Sequence, residues 1–178
     1  MLNFYNFQHK QSYQGIFFAS SPFINNRSFL NTVIFVTEDN QTLVYAIKIN
    51  KLKFPREIKF SHKIHDGGLL ERDKIVMIHD KSSIHPNSIQ VSSKSDDIFC
   101  LELNEETNFQ TQRCFVVSGY NSWVYSDFMK EIKCGDWIPV GISSSLMFDI
   151  PLLTRWHEAY RLSGICPEFI QPGSIPKA

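Results

Sequence analysis

The sequence is poor in alanine and lacks a glycine-rich Gly-x-Gly pattern. Only 4 of its 178 residues are alanine, whereas 19 are isoleucine and 15 are phenylalanine. Alanine is the strongest helix former, and branched and aromatic side chains fit a pleated sheet. This balance favours a strand-rich mixed fold over a helical bundle. The 8 glycines never occur as Gly-x-Gly, which argues against the glycine-rich phosphate loops of dinucleotide-binding proteins.

Recognised catalytic signatures are also missing. The chain has no Gly-x-Ser-x-Gly elbow, no His-Glu-x-x-His pair and no Cys-x-x-Cys motif. Each of these patterns places a nucleophile, a base or metal ligands at the spacing that its chemistry needs. Their absence argues against a familiar hydrolase or metalloprotease, and the sequence predicts a protein that binds rather than catalyses.

Long apolar runs are absent, and the first residues lack the basic and apolar stretches of a secretory leader. Runs such as residues 33–36, 43–47 and 75–78 are far shorter than the ~20 residues that cross a membrane. The cysteines are scattered without a paired motif, which is typical of free thiols in a reducing compartment. They are Cys100, Cys114, Cys134 and Cys166. We therefore predict a cytoplasmic protein that does not enter a membrane.

What the sequence does contain is the composition of a folded domain. Hydrophobic residues make up 43% of the chain and aromatic residues 13%, more than a disordered chain carries. The length suits one hydrophobic core. We predict a single domain over residues 1–178, with peripheral tails at 1–14 and 167–178.

Short apolar runs bounded by turn residues predict the strands. These runs are residues 15–19, 32–37, 42–50, 74–79, 88–91, 113–118 and 137–142. Helices are expected at 95–103, at 127–133 and from Pro151 to Gly164, where proline suits a first turn and glycine a C-terminal cap. The side chains predicted to be buried include Phe17, Val33, Phe35, Ile47, Ile75, Met77, Phe115, Val117, Trp137 and Trp156.

Charge is unevenly distributed along the chain. Residues 1–63 carry 8 basic and 3 acidic side chains, whereas residues 64–178 carry 10 and 15. The local cluster of cations consists of Lys48, Lys51, Lys53, Arg56, Lys59 and Lys63. With Phe54 and Phe60 between them, they could bind a single-stranded nucleic acid, so a nucleic-acid-associated regulator is one alternative function. The other interpretation is a basic face that pairs with the acidic half, and overall neutrality favours it.

Histidines and polar turn residues give a further alternative. His62 and His65 are three residues apart, but no third ligand has a recognisable spacing, so neither a metal site nor a cofactor is predicted. The polar residues at predicted strand ends and turns are Arg27, His65, Asp66 and His79. Together with Gly67-Gly68 and Trp123 they could line an enzyme cleft. The lack of a nucleophile–base pair makes this enzyme less favoured than a non-enzymatic module.

Four segments, in order, follow a pattern shared with a known family. The first is residues 15–36, GIFFASSPFINNRSFLNTVIFV, and the second is the strand that ends in Asn50. The third is HDGGLLERDKIVMIH (65–79), and the fourth is SGYNSWVYSDFMKEIKCGDWIPV (118–140), which carries a Gly-Tyr-x-x-Trp motif. Over about residues 15–166 the chain resembles the YqgE/AlgH family of bacterial proteins. At Leu43, Ala46 and Leu69 it has bulkier residues where the family usually has glycine or proline.

The resemblance implies an α+β fold in which a branching, strongly bent β-sheet forms a pseudo-barrel with about three helices packed outside. It implies no established reaction, although one branch of the family is labelled a transcriptional regulator. We therefore predict a non-enzymatic binding or regulatory module whose ligand is unknown. Its partner could be another protein, and the chain itself is expected to be a monomer or a weak dimer.

The candidate cleft of this module is expected where the glycine turn meets the Gly-Tyr-x-x-Trp segment. The residues assigned to it are Arg27, Asn50, His65, Gly67, Gly68, His79, Tyr120 and Trp123. Loops on a rigid scaffold are where binding residues collect, so residues 120–123 are predicted to form a loop beside Gly67-Gly68. The alternative is that Trp123 only plugs one end of the barrel.

Overall fold

The computed structural model describes residues 12–52, 63–82, 84–92, 98–104, 107, 111 and 113–170. Within these residues nine strands join in one sheet, in the order β6-β7-β5-β8-β3-β2-β1-β9, with β4 beside β8. The strands are β1 (Phe17–Ser20), β2 (Val33–Asp39), β3 (Leu43–Lys48), β4 (Ile64–Asp66), β5 (Leu70–Asp80), β6 (Ile89–Ser92), β7 (Ile98–Leu103), β8 (Cys114–Val124) and β9 (Trp137–Gly141).

Three α-helices accompany the sheet in the described part of the chain. They are α1 (Tyr125–Cys134), α2 (Ser144–Phe148) and α3 (Arg155–Ser163). Gly135 and Gly164 end α1 and α3 in the left-handed conformation, which glycine adopts without steric cost. The sheet is strongly curled into an antiparallel half-barrel, so the predicted α+β class with a bent sheet and three helices is confirmed.

The sheet branches at β8, the strand that carries the Gly-Tyr-x-x-Trp motif. Along one edge β8 pairs with β5, from Cys114 to Ser118 and again at Tyr120. Its other edge is divided between two strands. The first part pairs in parallel with β4, and residues from Asn121 onward pair with β3. This division turns the sheet and brings the chain around Gly67 against the middle of β8.

Both faces of the strands around β2 are buried. On one face, Phe35, Val117 and Trp156 belong to a first apolar cluster, which α2 and α3 cover. On the other face, Phe18 and Phe128 belong to a second apolar cluster beneath α1. A strand covered on both faces needs apolar residues at every position, which explains continuous runs such as VIFV. All ten side chains predicted to be buried are buried, so that prediction is confirmed.

The prediction of a helix at 95–103 is wrong for residues 98–103, the part that the structure describes. Residues 95–97 lie outside the described residues, and Ile98–Leu103 is strand β7, hydrogen-bonded to β5 and β6. Ile98 and Cys100 face the first cluster, whereas Leu101 faces a third cluster with Met77. A strand buried on both faces has no clear period of two, so its apolar residues can match a helical spacing by chance.

Other boundaries differ from the sequence expectations. Helix α3 begins at Arg155, four residues after Pro151. Strands β5 and β8 are longer than predicted, and β4 and α2 were not expected. None of the described helices is long and apolar enough to span a membrane.

Candidate functional site

The glycine turn between β4 and β5 packs directly on the backbone of β8. The amide of Gly67 donates to the carbonyl of Ser118 at 2.9 Å, and the Gly67 carbonyl accepts from the amide of Lys48 at 2.8 Å. A Cβ atom at Gly68 would lie 2.1 Å from the carbonyl oxygen of Tyr120. Only glycine allows this approach, which places the glycine turn beside Tyr120, the first residue of the predicted 120–123 loop.

The segment beyond this contact is not the predicted loop. Tyr120 and Trp123 both lie in strand β8, and side chains three positions apart on a strand point to opposite faces. The ring of Trp123 is 5.4 Å from that of Phe128 and 6.0 Å from that of Trp137, in the second apolar cluster. Trp123 therefore packs under α1, and its indole does not share a concave surface with Tyr120.

A cleft of about 670 Å³ lies on the Tyr120 side of the sheet. Its floor is apolar and consists of Ile47, Val76, Val91 and Cys100. These four side chains belong to the first apolar cluster or pack against it. The cleft is thus an open extension of the hydrophobic core, with side chains held in place by six strands.

Acidic side chains outnumber basic ones among the described residues that line the cleft. Three carboxylates, those of Glu38, Glu71 and Glu102, accompany one ammonium group, that of Lys74. Lys74 Nζ lies 2.5 Å from Glu71 Oε2, and the hydroxyl of Tyr120 donates to Glu71 Oε1 at 2.9 Å. These two hydrogen bonds lower the pKa of Glu71, which keeps its carboxylate charged at neutral pH.

The backbone at Glu71 adopts an uncommon conformation. Its φ is 42°, in the left-handed region that side-chain-bearing residues rarely occupy. The β5–β8 pairing shifts register between Leu70 and Ile75, so Glu71 lies within a bulge of β5. Bulges redirect side chains at functional edges of sheets, and this one aims the carboxylate of Glu71 at Tyr120.

Two tyrosines form the aromatic part of the rim. The rings of Tyr45 and Tyr120 are 5.7 Å apart at an interplanar angle of 66°, the edge-to-face arrangement that aromatic pairs prefer. Both line the cleft. Their ring faces and hydroxyl groups offer the rim a surface that can contact cations as well as apolar groups.

The described residues that line the cleft do not include an activated nucleophile. Burial raises the pKa of the Cys100 thiol to about 12, so this thiol is protonated and weakly nucleophilic at neutral pH. The hydroxyl of Thr37 donates to the carbonyl of Tyr45 at 3.3 Å. The described lining residues include no histidine that could serve as a general base.

Asn50 and His65, two further predicted site residues, have other surroundings. The side chain of Asn50 accepts from the amide of Val33 at 2.9 Å and donates to the carbonyl of Asn31 at 2.8 Å. It therefore ties the chain after β3 to the start of β2. The ring of His65 stacks on that of Phe115, with 4.4 Å between the ring centroids. Neither Asn50 nor His65 lines the cleft.

The environment of His65 keeps it neutral. Burial lowers its pKa to about 4, with further lowering from the cations of Arg155 and Lys63. Its Nδ1 atom is buried without a hydrogen-bond partner among the described residues. Arg155 is itself buried over the ring of Phe115 and donates to the carbonyls of Ile150 and Ile49.

His79 lies far from the glycine turn. It pairs with Cys114 of β8, six residues before Tyr120, which corresponds to roughly 20 Å along the strand. The fully buried ring donates through Nδ1 to the carbonyl of Asp80 at 2.8 Å, and its Nε2 atom forms a hydrogen bond with the hydroxyl of Ser88 at 2.8 Å. This serine–histidine contact joins the end of β5 to the residue before β6, and the buried ring offers no access to a substrate.

The proposed enzyme cleft is therefore not assembled. Arg27 is exposed in a 3-10 turn before β2, and Asp66 pairs with Lys48 at 3.8 Å and with Arg72 at 3.2 Å. His79 and Trp123 lie at other places in the sheet. No group of three or more potential metal ligands occurs in the described ranges.

The basic segment does not present its six cations on one exposed face. Lys48 is only 4% exposed and lies 5.1 Å from the ring of Phe29, and burial lowers its pKa. Lys51 donates to the carbonyls of Leu30 and Asn31, whereas Lys63 is exposed. Lys53, Arg56 and Lys59 lie outside the described residues.

Most residues of the cleft were missed at the sequence level. Of the eight predicted site residues only Tyr120 lines it, and Gly67 and Gly68 support its backbone. Glu38, Tyr45, Glu71 and Glu102 come from four different strands, and no spacing along the chain relates them. No local signal marks them, because the apolar runs of β3 and β7 show no clear period of two.

Comparisons with known proteins identify bacterial relatives over most of the chain. The UPF0301 protein Bfl251 of Blochmanniella floridana is 24% identical over 172 residues, which cover 85% of this chain and 89% of that relative. The UPF0301 protein YqgE of Salmonella paratyphi B is 26% identical over 169 residues, covering 84% and 90%.

Two solved structures have the same fold. The solution structure of the AlgH protein from Pseudomonas aeruginosa matches with a TM-score of 0.69 at 16% identity, covering 88% of this chain and 93% of that one. The crystal structure of protein DIP2367 from Corynebacterium diphtheriae matches with a TM-score of 0.68 at 14% identity, covering 85% and 87%. The DUF179 family model, described as AlgH-like, matches residues 17–168. The resemblance predicted from four ordered motifs is thus confirmed, and the chain belongs to the AlgH-like family.

Proposed function

We propose that this protein is a non-enzymatic binding module whose binding surface is the cleft beside Tyr120. The observation that carries the proposal is an open volume of about 670 Å³ whose apolar floor and charged, aromatic rim are built on strands. Ligand sites are commonly concave, of this size, mostly apolar and supplied with a few convergent polar groups. Strands hold such groups more precisely than loops do.

The chemistry of the lining favours binding over catalysis. The Cys100 thiol is protonated, the Thr37 hydroxyl is engaged with a backbone carbonyl, and Glu71 is held by Lys74 and Tyr120. Covalent catalysis requires a nucleophile beside a base, and this arrangement is not found among the described lining residues. A regulatory role would follow from the partner that the cleft binds.

Blocking the floor of the cleft provides the test. Val76 is half-buried in the floor, and Val76→Trp is expected to fill the open space with an indole. In a ligand-observed NMR screen of a fragment library, fragments that bind the wild type should lose binding to V76W by tenfold or more, about 1.4 kcal/mol. Amide resonances of cleft residues should shift when those fragments bind.

The control is the same substitution at an exposed position. Val124 is 52% exposed at the end of β8, next to α1, so Val124→Trp should leave fragment binding unchanged. Both variants must give a dispersed, folded NMR spectrum. Equal binding of fragments to V76W and the wild type, or shifts that map elsewhere, would refute the cleft as the binding surface.

A nucleic-acid-associated regulator has less support. Burial removes Lys48 from any phosphate contact, and Lys51 is engaged with backbone carbonyls. Fluorescence anisotropy with single-stranded DNA and RNA should therefore show no binding at about 50 mM salt. Micromolar binding that weakens steeply with added salt would favour the nucleic-acid-associated regulator over the binding module.

The proposed location of this module is the cytoplasm. All four cysteines are free, and two of them, Cys134 and Cys166, are exposed. Exposed free thiols are typical of a reducing compartment. Measurement of the thiol content of protein isolated under non-reducing conditions, with four reactive groups expected after unfolding, tests this point.

A further inference from the structure

The cleft extends across several strands of the sheet. Its described lining extends from Glu38 on β2 to Ile89 on β6, with β3, β8, β5 and β7 between them in the sheet order. Neighbouring strands are ~4.8 Å apart, so five steps correspond to roughly 24 Å along the curve of the sheet. An extended peptide of about seven residues spans that length, whereas a compact metabolite would fill only part of it.

The charged side chains that line the cleft favour a positively charged ligand. Glu38, Glu71 and Glu102 oppose the single ammonium group of Lys74 among the described lining residues. Lys74 reaches Glu71 from the same strand, so it occupies the position at which an incoming cation would meet that carboxylate. An anionic segment would face net repulsion, whereas a lysine or arginine side chain would be attracted.

The apolar floor of the cleft suits the aliphatic part of a lysine or arginine side chain. The stems of lysine and arginine are apolar and pack on apolar surfaces while their charged ends stay at the rim. Val76 and Val91 supply that surface. The hydroxyl of Tyr120 contacts Glu71, and the ring of Tyr45 lies 5.7 Å from that of Tyr120, so the two rings can contact the cation from the same side of the cleft. Ile89 at the far wall is 71% exposed, which suits an apolar neighbour in the same peptide.

We propose that the cleft binds an extended segment of a partner protein that carries a lysine or arginine side chain among apolar residues. The cationic group pairs with Glu71 in place of Lys74, and the apolar residues cover the floor. This inference rests on the proposed function, because it names the class of ligand that the same cleft takes.

Selection from a displayed library of random peptides tests the class of ligand. The folded wild-type chain is the bait, and V76W is the bait for counter-selection. Enrichment of sequences that combine lysine or arginine with apolar residues is the expected result. Enrichment of acidic or uncharged sequences that still require the open cleft would overturn the ligand class and leave the binding function standing.

Substitutions at the ion pair test the contact itself, with a synthetic copy of an enriched peptide as the probe. Glu71→Gln should weaken its binding about fivefold or more, and Lys74→Met should strengthen it about threefold by removing the internal competitor. Glu158→Gln removes a partly exposed carboxylate from another i, i+3 ion pair, with Arg161 on α3, and should not change peptide binding. Ile89→Lys adds a cation at an exposed position of the rim and should weaken binding without loss of folding.

Three other results would overturn the proposal. They are weaker binding to K74M, equal binding to E71Q and the wild type, and no enrichment over V76W. A dimer that forms through the cleft and dissociates in I89K would also overturn it, because the occupant would then be a second copy of this chain. The fragment screen with V76W and V124W decides separately whether the cleft binds ligands at all.

Discussion

Gly68→Ala is expected to lower the free energy of unfolding by about 3 kcal/mol, because the new methyl group would overlap the backbone of β8. The nearest atoms to a Cβ at this position are the carbonyl carbon and oxygen of Tyr120, both at 2.1 Å. Backbone atoms in a paired strand cannot move aside as the end of a flexible side chain can. Urea denaturation followed by circular dichroism measures the effect.

Gly164→Ala is the matched control for this prediction. Gly164 has a φ of 75°, but a Cβ atom at this position would meet no described atom within 4 Å. Alanine there meets only the cost of a left-handed conformation, about 1 kcal/mol. The Gly68 variant should be clearly less stable than the Gly164 variant. Similar losses in the two proteins would contradict the close approach between Gly68 and Tyr120.

Acidification is expected to destabilise the protein through His65. In the unfolded chain this residue has its ordinary pKa near 6.5, whereas burial and the cations of Arg155 and Lys63 lower its pKa to about 4 in the fold. The stabilising contribution is fully present above pH 6.5 and decreases as the pH falls toward 4, because only the unfolded state gains the proton. With allowance for solvent near the partly buried ring, the loss is about 2 kcal/mol.

His65→Phe separates this effect from other titrating groups. Phenylalanine keeps the stacking on Phe115 and cannot bind a proton, so the variant should lose less stability than the wild type between about pH 7 and about pH 4.5. The difference between the two proteins is the quantity to measure, by urea denaturation at both pH values. If the two proteins lose the same stability on acidification, His65 is not the group responsible.

The sequence by itself determined the central strands β1, β2 and β3, the ends of α1 and α3, and the family of the chain. The runs in β1, β2 and β3 are too apolar to be exposed, and Gly135 and Gly164 mark the ends of α1 and α3 because a left-handed residue there favours glycine. The ten predicted core residues follow from the same patterns. Local preference and tertiary environment agree at these positions, so the pattern along the chain is sufficient.

The tertiary structure alone decided what the sequence pattern left ambiguous. Strand β7 forms because β5 and β6 offer it hydrogen bonds, although its apolar residues match a helix equally well. Trp123 and Tyr120 belong to one motif, yet the pleat of β8 sends their side chains to opposite faces.

The environment of Lys48 and the position of the cleft were also decided only by the tertiary structure. Lys48 is the last residue of the hydrophobic strand β3 and the first cation of the basic segment, and only the fold shows that Phe29 and Asp66 enclose it. The cleft draws its residues from six strands that meet because the sheet curls. Such a site depends on pairing between residues distant along the chain, and no local spacing records that pairing.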